Sequence, residues 1–188
     1  MQPTCNIAFK EWAAVCEALA AGRQTIILRK GGLQDEIESI RRACLGFWLY
    51  PTNFHQQPEH LSDDAGEFIQ RATASEPSAG QVAVRLFAEL HCLNELKTEE
   101  RALRLRDFHI WSEATVRQRF AYRFPLLFLL SVRVYALPTT VHVPETDEMA
   151  GCKSWLTLPE SISTHGLVPV LNDEQYRERA KAEWAALA

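Results

Sequence analysis

Two short apolar runs, each ending in a polar cluster, constrain what this 188-residue chain can fold into more than any other feature. Residues 24–29 (QTIILR) are rich in β-branched side chains and too short for a helix, so they read as a strand. They run into Lys30-Gly31-Gly32, a turn signal. The second run, residues 45–50, also reads as a strand and ends in Pro51-Thr52-Asn53-Phe54-His55-Gln56. Pro51 cannot donate into a ladder and should stop it. Only a charged connection, residues 33–43, separates the two, so their simplest arrangement is an antiparallel pair.

The rest of the chain is read against that pair. Phe9, Trp12, Ala13, Cys16, Leu19 and Ala20 fall at helical spacing and predict a helix over residues 7–21, with Asn6 as N-cap and Gly22 as terminator. On that helix Lys10 and Glu11 would form a solvated rim. Residues 72–80 (ATASEPSAG) look like an exposed linker. Val82, Leu86, Leu90 and Leu93 predict a helix over residues 81–97. Residues 58–100 thus read as a mainly helical excursion from a single domain spanning 1–188. Leu103-Arg104-Leu105-Arg106 alternates like a strand. Ser112 is placed to cap a helix over residues 113–122. Residues 126–137 form the longest strand candidate, apolar throughout its first half as a central strand should be. Residues 154–158 read as a last strand closed by Pro159. Asn172 and Gln175 form a capping box for a terminal helix with Tyr176, Ala180, Trp184 and Leu187 on its buried side.

The formal net charge is −4, which excludes wholesale coating of nucleic acid. The charge is unevenly spread: residues 97–133 hold eight basic and four acidic side chains, 8 − 4 = +4, leaving −8 elsewhere. Such a split can put a basic face on an acidic protein. The five cysteines are odd in number and contain no CxxC pair, so no structural zinc site is expected, and they fit buried thiols in a reducing cytoplasm. No cationic start followed by an apolar stretch marks a secretory leader, and no run approaches the ~20 residues of a membrane helix.

Candidate chemistry is sparse. Arg29 and Lys30 beside Gly31-Gly32 have the charges and free N–H groups to hold a phosphate or carboxylate, but the P-loop order is absent. Thr52, His55 and Gln56 offer polar contacts at the second strand's end. His55 and His60 with Glu59 lack the spacing of a metal site, and no metal or cofactor is expected. His55 is the one candidate for general acid–base work. There is no GxSxG, and Cys152 beside Lys153 is the one cysteine in an electropositive setting. Trp48, Trp111 and Trp155 lie near basic residues in sequence, as base stacking requires, but serve equally as core.

Several blocks together, Ala8-Phe9-Lys10-Glu11-Trp12-Ala13, Ile27 to Gly32, Phe47 to Thr52 with His55-Gln56, Arg133-Val134-Tyr135 and Gly151 to Trp155, resemble the bacterial family catalogued as domain of unknown function 1802. That family has no established activity. Members joined to an Mrr-type restriction endonuclease domain imply a restriction or other DNA-related setting, without the nuclease residues here. A shorter pattern, Gly22-Arg23-Gln24-Thr25 followed by Arg29, resembles the PUA-like barrels, including the ASCH group, which implies recognition of RNA, modified bases or nucleotides.

The expected fold is therefore α+β, a curved mixed or antiparallel sheet, as an alternative closed into a small PUA-like barrel, flanked by N- and C-terminal helices. The expected function is a non-catalytic accessory domain binding nucleic acid or nucleotide. Arg29, Lys30, Arg119, Arg133 and Lys153 would meet phosphate, with Trp48 or Trp155 near a base. The alternatives are a small hydrolase using His55 with Arg29 and Lys30, and a protein-interaction subunit.

Overall fold

The structure, a computed structural model, describes residues 2–30, 46–149 and 153–188. The chain starts with a strand, β1 (Thr4–Trp12), and passes straight into helix α1 (Ala13–Ala20). Strands β2 (Ile26–Arg29) and β3 (Phe47–Thr52) follow. Helix α2 (Gly66–Ala74) precedes β4 (Gln81–Leu96). Two further helices, α3 (Glu99–Leu103) and α4 (Glu113–Ala121), separate β4 from β5 (Leu127–Pro144). The chain ends with β6 (Trp155–Ser163), the two-residue β7 (Val168–Pro169) and helix α5 (Asp173–Leu187).

One mixed sheet takes all seven strands in the order β2-β5-β4-β3-β1-β6, with β7 against β5. Only β1 and β3 run parallel. The α+β class and the curved mixed sheet are as the sequence predicts. Curvature brings the outer strands back toward each other, because Arg29 at the end of β2 donates to Ser154 just before β6. Register shifts between β4 and β5 at Val84/Leu86 and Leu90/Cys92 supply bends that such curvature needs. Apolar side chains form two clusters. One holds Phe9, Trp12, Phe47 and the first half of β5, and the other holds Ala8, Trp48, Tyr50 and Phe87.

Several elements differ from the sequence reading. Residues 4–12 are strand, so the predicted helix over 7–21 survives only as α1. Its predicted terminator stands: Gly22 has φ +66°, and Gly22 and Arg23 N–H bond back to Leu19 and Ala18 in a Schellman pattern. β2 and β3 do not pair. β2 lies against β5, and β3 lies between β1 and β4. Residues 81–96 form a 16-residue strand rather than a helix, so the excursion is helical only in its first part. Leu103 to Arg106 is helical turn, not strand. β6 continues past Pro159 to Ser163. On α5 the predicted capping box of Asn172 and Gln175 is present, but Trp184 is 48% exposed and Glu183 takes the buried position. Ser112 caps α4 as expected, accepting from Thr115 N–H.

Candidate functional site

The alternation of β1 places Glu11 on the same side as Phe9, facing the larger core. The strand ends one residue later, so Glu11 sits at the strand–helix junction, where its Oε1 accepts the Trp12 N–H at 2.7 Å. Glu11 is 2% exposed, and among the described residues its Oε2 has no hydrogen-bond partner. Burial pushes its carboxyl above the usual range, opposed by the charges of Arg29 and Arg119. These arginines come from β2 and α4. Arg29 lies 4.9 Å over the Phe9 ring, and Arg119 lies 5.5 Å over Trp12 and 6.0 Å from Trp111. Burial and the neighbouring Arg29 both lower the affinity of Arg119 for its proton.

Aromatic rings pack around this strand-end cluster, the mouth, with Trp12 and Trp111 buried and His60 half-buried. His60 stacks on Trp12 at 5.5 Å with the planes 7° apart, and Trp12 packs at 5.6 Å against Trp111. The segment holding His60 is fixed to the strand-like stretch before α4: Ser112 N–H donates to His60 O, and Leu61 bridges Trp111. Behind Trp111, buried His109 accepts the Trp111 N–H on Nδ1, and burial with the charge of Arg23 lowers its pKa to about 4.

A second region opens at the end of β3. A groove of about 550 Å³ runs between α1, the residues 75–80 turn and the β4–β5 pair. Glu17 and Arg85 form an ion pair in it, with Arg85 Nη2 donating to both carboxylate oxygens at 2.8 and 2.9 Å. Tyr50 donates to Glu145 at 2.8 Å, and Asn53 donates to Glu76 at 3.0 Å.

The sequence-predicted site residues do not share one pocket. Arg29 belongs to the mouth. The Lys30 ammonium donates to the carbonyls of Phe120, Phe124 and Leu126, so it tethers the end of α4 to the start of β5. Gly31, Gly32 and Cys152 lie outside the described residues. Thr52 lines the groove and accepts the Phe54 N–H. His55 is exposed in a turn at φ +59°, against the Phe54 ring. Gln56 caps α1 by accepting the Ala14 N–H at 2.9 Å. Arg133 pairs with Asp173 at the start of α5, between the Tyr135 and Tyr176 rings. Lys153 is exposed beside Ser154. Trp155 packs on Phe9 and Phe47 in the core, and Trp48 is fully buried with its N–H on Cys5 O. Glu11, read from sequence as solvated rim together with Lys10, is buried as Lys10 is. The alternation Ile7, Phe9, Glu11 is the signal that would have found it.

No group of three or more His, Cys, Asp or Glu side chains among the described residues is arranged to hold a metal, and no helix there is long and apolar enough to cross a membrane. Among curated proteins, none matches the chain significantly. Crystal structures of the ASCH protein of Zymomonas mobilis are similar at low levels. The unaltered protein is 14% identical with a TM-score of 0.42, covering 94% of this chain and 93% of its own. A tyrosine-to-phenylalanine variant is 12% identical with a TM-score of 0.45, covering 93% and 96%. At those scores the likeness assigns neither fold nor function, which stand on the chain's own geometry. The family described as Domain of unknown function (DUF1802) matches residues 8–182, nearly the whole chain and all the blocks singled out in its sequence, and the chain belongs to that family.

Proposed function

We propose that this chain is a nucleic-acid-binding domain whose mouth, between the ends of β1 and β2 and helix α4, takes the phosphate backbone on Arg29 and Arg119. The observation that carries the reading is the charge imbalance there: two guanidiniums face one buried carboxylate that keeps an open acceptor. An incoming phosphate supplies the missing negative charge and accepts in the bidentate manner that suits arginine. Of the neighbouring rings Trp12 and Trp111 are buried, so contact with an unstacked base would fall to the half-buried His60 that stacks on Trp12. Lys153, exposed next to the Ser154 that holds Arg29, extends the positive rim. The hydrolase alternative has less support, since the Lys30 ammonium is taken up by carbonyls and His55 projects from an exposed turn.

The test is fluorescence anisotropy with labelled single-stranded RNA and DNA over a series of salt concentrations. Affinity should fall with salt, with a log–log slope of about −1.4 for two phosphate contacts on a single strand, about −0.7 each. Arg119→Ala should lose about tenfold in affinity and about half of that slope. Absence of salt-sensitive binding, or an Arg119→Ala protein that folds and binds normally, sinks the proposal.

A further inference from the structure

The groove at the end of β3 is chemically the opposite of the mouth. Its described lining contains three carboxylates, Glu17, Glu76 and Glu145, against one guanidinium, Arg85. The charge of Arg85 is offset by Glu17, both of whose carboxylate oxygens accept from its Nη2. Glu76 and Glu145 are held differently. Their hydrogen-bond partners are the Asn53 amide and the Tyr50 hydroxyl, neutral donors that orient a carboxylate without cancelling its charge. Among the described residues neither has a basic side chain within ion-pair distance. Lys10, behind Tyr50 and 5.4 Å from its ring, directs its ammonium to the Met149 carbonyl.

The cavity is also built rather than incidental. Glu145 N–H donates to Gly80 O at 2.9 Å and Gln81 N–H to Ser78 O at 3.1 Å, which fixes the two chain segments that carry its rim. Tyr50 is 1% exposed, so its hydroxyl is held in place by packing, and burial with the adjacent Glu145 raises its pKa and keeps it a donor. Leu49, Val82 and Leu86 supply an apolar floor between the acidic groups. The volume, about 550 Å³, suits a small organic molecule rather than a bare ion. A phosphate or carboxylate ligand is disfavoured on charge, since it would share the groove with two carboxylates that no described cation pairs and with Glu17, which already offsets Arg85.

We propose that this groove binds a small aliphatic polyamine, whose ammonium groups pair with Glu76 and Glu145 and whose methylene chain lies on the apolar floor. The site is separate from the mouth and does not depend on nucleic-acid binding.

Isothermal titration of the full chain with spermidine tests this, with inorganic phosphate as the anionic control. The expected result is saturable binding of spermidine, none of phosphate, and a loss of at least about tenfold in the Glu76→Gln/Glu145→Gln protein. Glutamine preserves the acceptors for Tyr50 and Asn53, so the variant should fold, as a melting curve would show. Arg85→Gln gives an independent arm: it releases the Glu17 carboxylate into the groove and should tighten spermidine binding. No saturable binding, binding indifferent to the double substitution as expected of diffuse attraction to an acidic surface, or weakening by Arg85→Gln overturns the proposal. Nucleic-acid affinity of the double variant should be unchanged. If that affinity is absent in every variant while spermidine still binds, the mouth has failed and the groove stands.

Discussion

The mouth and the groove lie at the same end of two neighbouring parallel strands, where Glu11 is in register with Pro51, yet they treat charge in opposite ways. In the mouth the ionisable groups are sunk into the core: Glu11 is 2% exposed, and Arg29 and Arg119 share one carboxylate among aromatic rings. In the groove the single cation is matched, and the unmatched carboxylates stand on the rim, held by neutral donors. Burial makes a charge costly unless it is paired, so the mouth is electrostatically unfinished, whereas the groove is merely polarised. That difference teaches where each region's response to pH and substitution should appear: in stability for the mouth, in ligand preference for the groove.

The largest expected effect therefore comes from the buried titratable groups around the mouth. His109 must stay neutral when folded, with its pKa lowered to about 4 from 6.5. Its contribution, about 3 kcal/mol, is full above pH 6.5 and is lost as pH falls toward 4. Glu11 acts with the other sign. Its folded pKa lies above the free-chain value of 4.5, so the stability linked to its protonation is present below pH 4.5 and lost as pH rises through the raised value. Urea unfolding measured in steps from pH 8 to pH 4 should show the His109 loss on acidification. His109→Asn should flatten the profile, and Glu11→Gln should steepen the acid loss by removing the opposing contribution. A wild-type profile with no change between pH 6.5 and 4 would break the contrast between a buried and an open region.

Lys30 sharpens the boundary of the mouth. Its ammonium holds three carbonyls between α4 and β5, 4.2 Å from the Phe124 ring, and burial lowers its pKa. Lys30→Met should cost about 1–2 kcal/mol in urea unfolding, since the bonds are charge-assisted but partly exposed. Nucleic-acid affinity should stay within about twofold, well below the tenfold change that loss of a charge-assisted ligand contact gives. A stable Lys30→Met protein with sharply weakened binding would move Lys30 from tether to ligand contact.

Sequence patterns were legible where a local rule decides the structure. Ser112 and the Asn172–Gln175 box mark helix starts because a side-chain acceptor beside the orphan N–H groups is a local matter. Residues 126–137 were legible because a continuous apolar run suits a strand covered on both faces. The start of α1 was not, since its cap is Gln56, forty-two residues away, and Trp12 itself has no capping side chain. Without that stop signal the strand β1 reads on into the helix. Lys10 and Glu11 then fall on a helical rim, although both are buried. β4 was misread for a related reason. Register shifts against β5 turn Leu86 into the larger cluster while Val82 and Val84 stay in the smaller one, so Leu86, Leu90 and Leu93 take a spacing that imitates a helix. Arg29 and Arg119 were both legible as cations, but their meeting over Glu11 depends on sheet curvature, which no local rule encodes.

The smallest expected effect lies in the groove, and it tests whether that region is as satisfied as its geometry implies. The Glu17 side chain is 12% exposed and that of Arg85 36%, so their ion pair is neither fully screened nor fully desolvated. A double-mutant cycle with Glu17→Gln and Arg85→Gln should give a coupling of about 1 kcal/mol in urea unfolding, the upper end for pairs that water still reaches. Because the charges acting on Glu11 are those of Arg29 and Arg119, not of this pair, neither single substitution should alter the pH profile set by His109 and Glu11. Coupling of several kcal/mol would mean that the groove holds a buried pair like the mouth. Arg85 would then be bound too tightly to Glu17 for Arg85→Gln to be a simple release of charge, and the contrast between the two strand ends would narrow to one of sign alone.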